Sequence, residues 1–108
     1  MSMIDNLEAL LAKGQDGAML RLTLGNEYLK AGDARTAVEH LAKAVELDAQ
    51  YSAAWKSYGR ALTEAGDLGA AIDAFERGIE AAEARGDMQA GKEMQVFLKR
   101  ARKRRAGG

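Results

Sequence analysis

Proton transfer and metal binding need histidines, cysteines or convergent carboxylates, and this 108-residue chain has one histidine and no cysteine. Disulfide frameworks and thiolate zinc sites are therefore excluded, and so are the usual histidine-rich metal and triad arrangements. His40 stands off the apolar spacing Ala37, Leu41, Ala44, so it is expected on the exposed surface. No Ser or Asp is spaced with it as a triad would require, and none of the twelve glycines falls in a phosphate-cradling G-x-x-x-x-G-K pattern. Glu76, Glu80 and Glu83 share helical faces with Arg77 and Arg85, which is ordinary charge patterning of a solvated helix. The expectation is a protein that is no enzyme and takes neither cofactor nor metal.

Charge is the second source of chemistry. Sixteen basic residues balance sixteen acidic ones, but they are segregated. Residues 92–108 hold Lys92, Lys99, Arg100, Arg102, Lys103, Arg104 and Arg105 against the single acid Glu93, a net of +6 that leaves −6 on the rest. Such an end could meet nucleic-acid phosphates or anionic lipid headgroups. It has no interleaved aromatic after Phe97, and cations at a helix C-terminus also complement the macrodipole and keep an open helical end solvated.

The elements that must carry these groups are helices. The chain is 47% hydrophobic and 30% charged, as in an ordinary soluble globular protein, and its length suits one domain. No proline interrupts it, and strong helix formers dominate. The start, Met1-Ser2-Met3-Ile4-Asp5, has no basic leader, and no apolar run approaches the roughly 18 residues of a bilayer span, so the cytoplasm is the expected location.

Sliding the chain on itself by 34 residues aligns Leu24 with Tyr58, Gly25 with Gly59, and Tyr28 with Leu62. The same shift aligns Ala31-Gly32-Asp33 with Ala65-Gly66-Asp67, Ala37-Val38 with Ala71-Ile72, and Leu41 with Phe75. Apolar residues recur at helical spacing on both sides of each Gly-Asp pair, so each unit reads as two helices. Gly32 and Gly66 supply the left-handed stop, and Asp33 and Asp67 cap the next helix. Gly25 and Gly59 fall mid-helix, where glycine costs about 1 kcal/mol against alanine, which points to close helix–helix approach.

These residues resemble the tetratricopeptide repeat (TPR) family, and in particular small bacterial-type members with two full repeats plus flanking helices. Trp55, Tyr58-Gly59, Leu62, Ala71, Phe75 and Gly78 occupy the signature positions of the second unit, Gly78 standing for the usual small alanine. Leu24-Gly25, Tyr28, Ala37, Leu41 and Ala44 do so in the first, where Arg21 replaces the aromatic. The inter-repeat proline is missing, with Ala49 at its site. The resemblance implies an all-α fold, a right-handed superhelix of antiparallel helix pairs. Two repeats seldom bury enough surface alone, so the flanks should complete the array. Six helices are expected, at 3–13, 17–31, 34–47, 51–65, 68–85 and 88–103. The single domain 1–108 then divides into an N-terminal packing helix (3–13), repeat 1 (18–51), repeat 2 (52–85), a cap helix (88–103) and a flexible basic tail (104–108). Gly14 is expected to stop the first helix and Asp16 to cap the second.

The resemblance also implies a concave groove, lined by the first helix of each repeat, that takes a peptide or helix of a partner protein. Opposite the packing stripe, repeat 1 offers Met19, Leu22, Thr23, Asn26 and Lys30. Repeat 2 offers Ala53, Lys56, Ser57, Arg60 and Thr63, and the cap helix Gln89, Lys92, Val96 and Lys99. An acidic partner with an apolar anchor would complement this lining. Some family members clamp a C-terminal carboxylate with Lys and Asn residues here; only Asn26 matches, with Leu22 and Ser57 at other clamp positions. Two further readings stand beside the adaptor: an accessory protein binding nucleic acid or an anionic surface through the basic end, and a structural subunit that self-associates.

Overall fold

A computed structural model describes residues 2–107. Its elements are α1 (Met3–Ala12), α2 (Ala18–Lys30), α3 (Ala34–Leu47), α4 (Ser52–Glu64), α5 (Leu68–Arg85) and α6 (Met88–Gly107). There is no strand among the described residues. Each helix packs on its sequence neighbour, and α4 also meets both α2 and α6, so the first helix of each repeat lies beside the first helix of the next. α1 touches α2 alone. The array measures 42 × 32 × 18 Å.

The repeated Gly-Asp pair makes the same turn twice. Gly32 and Gly66 take φ of +84° and +87°, a region where a Cβ is strained. The Asp33 N–H donates to the Tyr28 carbonyl at 2.9 Å, and the Asp67 N–H to that of Leu62 at 2.9 Å. These are the 6→1 bonds that close a helix ending in a left-handed glycine. The aspartate side chains then accept from the Thr36 and Ala70 N–H groups, each at 3.2 Å, and start α3 and α5.

Packing explains the mid-helix glycines. A Cβ on Gly25 would lie 2.5 Å from Leu41 Cδ2, and one on Gly59 2.6 Å from Phe75 Cδ1. Gly78 does the same work, since its Cβ would stand 2.7 Å from that of Trp55. The core runs from Ala44 and Val45 through Trp55, Leu62 and Phe75 to Met94 and Leu98, and a smaller cluster forms around Ala37, Leu41 and Ala61. Where the family has its proline, the Trp55 indole donates to the Ala49 carbonyl at 2.8 Å and Arg85 to that of Gln50 at 3.1 Å, which ties down the connection.

Three local expectations are corrected. His40 is buried, 8% exposed, instead of on the surface. Positions 37, 40, 41 and 44 share one helical face, so His40 belongs to the stripe that packs on α2. Its ring stacks on Tyr28 at 5.4 Å, and Arg21 Nη1 lies 3.1 Å from Nδ1. Arginine can only donate, so Nδ1 accepts and the imidazole proton sits on Nε2. Asp16 does not cap α2, whose N-cap is Gly17; it instead takes both arms of Arg21, at 2.8 and 2.9 Å. Arg21 thus fills the aromatic's place with a cation held between two partners.

The third correction concerns the tail. Residues 104–107 continue α6 as helix, past the expected limit of 103. Arginine, lysine and alanine are strong helix formers, and cations in a last turn suit the macrodipole. The turn is anchored as well: Ala101 is buried, and Arg102 pairs with Glu76 at 2.8 Å.

Candidate binding site

Because α2, α4 and α6 lie side by side, the faces they turn away from α3 and α5 form one surface. Between α2 and α4 this surface dips into a hollow of about 540 Å³ lined by Asn26, Leu29 and Lys30 on one wall and Lys56, Ser57 and Arg60 on the other, with Glu64 at the end. Five of the residues expected in a groove, Asn26, Lys30, Lys56, Ser57 and Arg60, are therefore brought together. Lys30 leans toward Glu27 at 3.4 Å, and Lys56 reaches Glu93 of α6 at 3.2 Å. Both pairs are solvent-accessible and worth little energetically, so both cations can exchange partners. Asn26 has no side-chain hydrogen bond among the described residues, which leaves its donors and acceptor free.

The other expected lining residues are placed differently. Leu22 is half-buried and packs against both core clusters. Met19 is 72% exposed near the start of α2, and Val96 is 48% exposed on α6. Lys92 opens onto a separate cleft with Glu83, Asp87 and Gln95, between the end of α5 and the start of α6. Lys99 is exposed, and Gln89 likewise. Thr23 and Thr63 spend their hydroxyls on their own helices, donating to the Met19 and Gly59 carbonyls at 2.9 and 2.8 Å.

A second hollow, of about 220 Å³, continues from the first between α4 and α6 and shares Arg60 and Glu64 with it. Phe97 and Phe75 floor it, their rings stacked at 5.7 Å, and Arg100 and Arg104 line its far wall. The Arg60 guanidinium lies 5.5 Å from the Phe97 ring centroid, a cation–π distance. By sequence, Phe97 is only the last aromatic before the basic end, and the two arginines belong to that end. Their common spacing with Glu93, at 93, 97, 100 and 104, was the available signal that one face of α6 turns toward α4.

Around the hollows the polar groups are fixed by local bonds. Hydrogen bonds from Arg21 lower the Asp16 pKa and, reciprocally, raise that of Arg21. The Ala90 N–H and the Ser52 hydroxyl lower that of Asp87, which joins the start of α6 to α4. The Tyr28 hydroxyl donates to Glu8 at 2.7 Å and its pKa rises in consequence, while burial raises that of Tyr58. No group of three or more potential metal ligands converges among the described residues.

Residues 22–89, which span both helix pairs and both Gly-Asp turns, match the tetratricopeptide repeat family. The chain belongs to the TPR family. It is 54% identical over 98 residues to the TPR repeat-containing protein PA0015 of Pseudomonas aeruginosa, an alignment covering 91% of this chain and 93% of that one. Its fold is similar to the solution structure of BPP2914 from Bordetella parapertussis, with a TM-score of 0.82 and 42% identity over 98% of this chain and 92% of that one. The Sgt2 TPR domain of Aspergillus fumigatus superposes with a TM-score of 0.81 at 28% identity, covering 97% of this chain and 69% of that one. TPR proteins are typically non-catalytic modules for protein–protein interaction, and no enzymatic family is indicated for this TPR chain. No helix among the described residues is long and apolar enough to cross a membrane.

Proposed function

We propose that this TPR protein is a cytoplasmic adaptor or assembly factor that receives a peptide or helix of a partner protein in the hollow between α2 and α4. The observation that carries the reading is the convergence of Asn26, Lys30, Ser57 and Arg60 from two successive helices on one open surface. Their donors have weak internal partners or none, whereas the polar groups packed between α2 and α3, such as Arg21 and His40, are mutually bonded. A groove with unspent donors gives a bound segment fixed hydrogen bonds and its charge a steering field. Lys30, Lys56 and Arg60 favour an acidic segment, and Leu29 with the exposed Met19 gives it an apolar contact.

Photo-crosslinking from inside the cell tests this. A benzophenone side chain at position 26 should capture a discrete partner protein, while the same group at exposed position 39 on α3 should not. Capture from position 39 alone would move the binding surface to the other face.

A further inference from the structure

The hollow between α4 and α6 has a chemistry of its own. Arg60, Arg100 and Arg104 converge on it, and none of the three has an anionic partner among the described residues. Nearby cations do: Lys56 is held by Glu93 and Arg102 by Glu76. Arg100 and Arg104 are four residues apart on one helical face, where like charges disfavour the helix. The macrodipole offsets part of this for Arg104 in the last turn, and a ligand carboxylate would neutralise the remainder. Phe97 holds Arg60 by its aliphatic and planar face, so the N–H fork at the guanidinium edge stays available.

We propose that this hollow is a carboxylate subsite for an acidic peptide segment of the partner protein. The proposal rests on the groove reading above and extends it, because Arg60 and Glu64 line both hollows and a chain lying in the first continues into the second. Three planar guanidiniums match carboxylates through paired N–H···O bonds, which a lysine cannot reproduce. Glu64, the one acid in the lining, leaves the site a net +2 and repels a ligand carboxylate from its own end, which sets the direction in which charges are read.

A peptide suits this geometry better than a nucleic acid. At 100° per residue the cations of α6 spread around its axis: Arg100 and Arg104 face α4 with Lys103 beside them over Leu68, Arg102 and Arg105 face Glu76 and Gly69 of α5, and Lys99 lines none of these surfaces. They form no continuous track for a phosphate backbone, and residues 1–91 carry a net −6 that repels a polyanion.

The test uses the full chain and three fluorescent probes: a synthetic peptide alternating glutamate with leucine, its glutamine counterpart, and single-stranded oligothymidylate of matching charge. Two double variants carry the same charge change, R100E/R104E in the hollow and K13E/K99E outside it. All four positions are exposed, and far-UV circular dichroism verifies that each variant keeps its helices. The acidic peptide should bind the wild type and the glutamine peptide should not. R100E/R104E should weaken the acidic peptide by about tenfold or more, and K13E/K99E by less than about threefold. Equal loss in both doubles would reduce the effect to net charge and overturn the subsite, as would tighter binding of oligothymidylate than of the peptide, or no peptide binding at all. Crosslinking from position 26 separates the two readings: a partner still captured there by R100E/R104E, with peptide binding unchanged, sinks the subsite and leaves the groove.

Discussion

Substituting Gly59 by alanine sets two opposing effects against each other, and the structure decides between them. Inside a helix the change gains about 1 kcal/mol of propensity. The new Cβ, however, would stand 2.6 Å from Phe75 Cδ1 and Cζ, about an ångström inside van der Waals contact. Phe75 cannot swing away, being 1% exposed and stacked on Phe97 at 5.7 Å. Overpacking of a pinned ring costs about 1–3 kcal/mol, which cancels the propensity gain or exceeds it, so the net expectation for Gly59→Ala is a loss of up to about 2 kcal/mol. Gly59→Leu should lose more. Gly91→Ala is the internal control: its Cβ would meet Ala82 Cβ at an ordinary 3.7 Å, so the propensity gain survives and the variant should be more stable by about 0.5–1 kcal/mol. Urea unfolding followed by far-UV circular dichroism and by Trp55 fluorescence reads both variants, with an unchanged m-value showing that the native state alone is affected. For a domain near this size 1 kcal/mol moves Tm by roughly 4–8 °C. A Gly59→Ala protein that gains as much stability as Gly91→Ala would refute the argument that the glycines mark close helix contacts.

His40→Ala removes a buried ring stacked on Tyr28 and the acceptor of Arg21, and should cost about 1–3 kcal/mol by thermal melting; a loss within about 0.5 kcal/mol would mean the ring is merely covered. Asp16, Asp33 and Asp87 are each lowered in the folded state from an ordinary aspartate value of 3.8, by hydrogen bonds from Arg21, from Thr36 and from the Ala90 N–H with the Ser52 hydroxyl. Carboxylates with depressed folded values contribute stability above the unfolded pKa and lose it as pH falls through the folded one, so Tm should hold at neutral pH and decline below about pH 4, less steeply in Asp87→Asn. A Tm indifferent to acid would contradict these bonds. Deleting residues 1–13 removes α1, which buries no side chain fully but supplies Glu8 to Tyr28, and should lower Tm; an equally stable monomer would show that α1 does not support α2.

Much of this architecture was legible because backbone requirements leave a residue-level mark. A left-handed stop needs glycine and a capped start favours aspartate, so Gly32-Asp33 and Gly66-Asp67 announced the turns, and helix limits followed to within a residue up to α5. Gly25 and Gly59 announced contacts with Leu41 and Phe75 for the same reason. The misreadings lie where one side chain has several admissible partners. Asp16 had the type and position of a cap, yet the Arg21 fork competed for it. His40 has the polarity of a surface residue and the position of a core one, and the arginine standing in the aromatic's place decides the matter. The end of α6 combines local helix propensity and macrodipole, which the sequence shows, with the buried Ala101 and the Arg102 to Glu76 pair, which it does not. Spacing sufficed to put Asn26, Lys30, Lys56, Ser57 and Arg60 around one hollow. It could not place Lys92, because the rotation of α6 about its axis is set by how Met94 and Leu98 seat in the core.

The groove reading is tested most directly by titrating the isotope-labelled chain with the partner segment captured at position 26 and following backbone amide shifts. Changes should concentrate at Asn26, Lys30, Ser57, Arg60 and Arg100, along the line where α2, α4 and α6 adjoin. Changes confined to the exposed faces of α3 and α5, with these five residues unmoved, would contradict it.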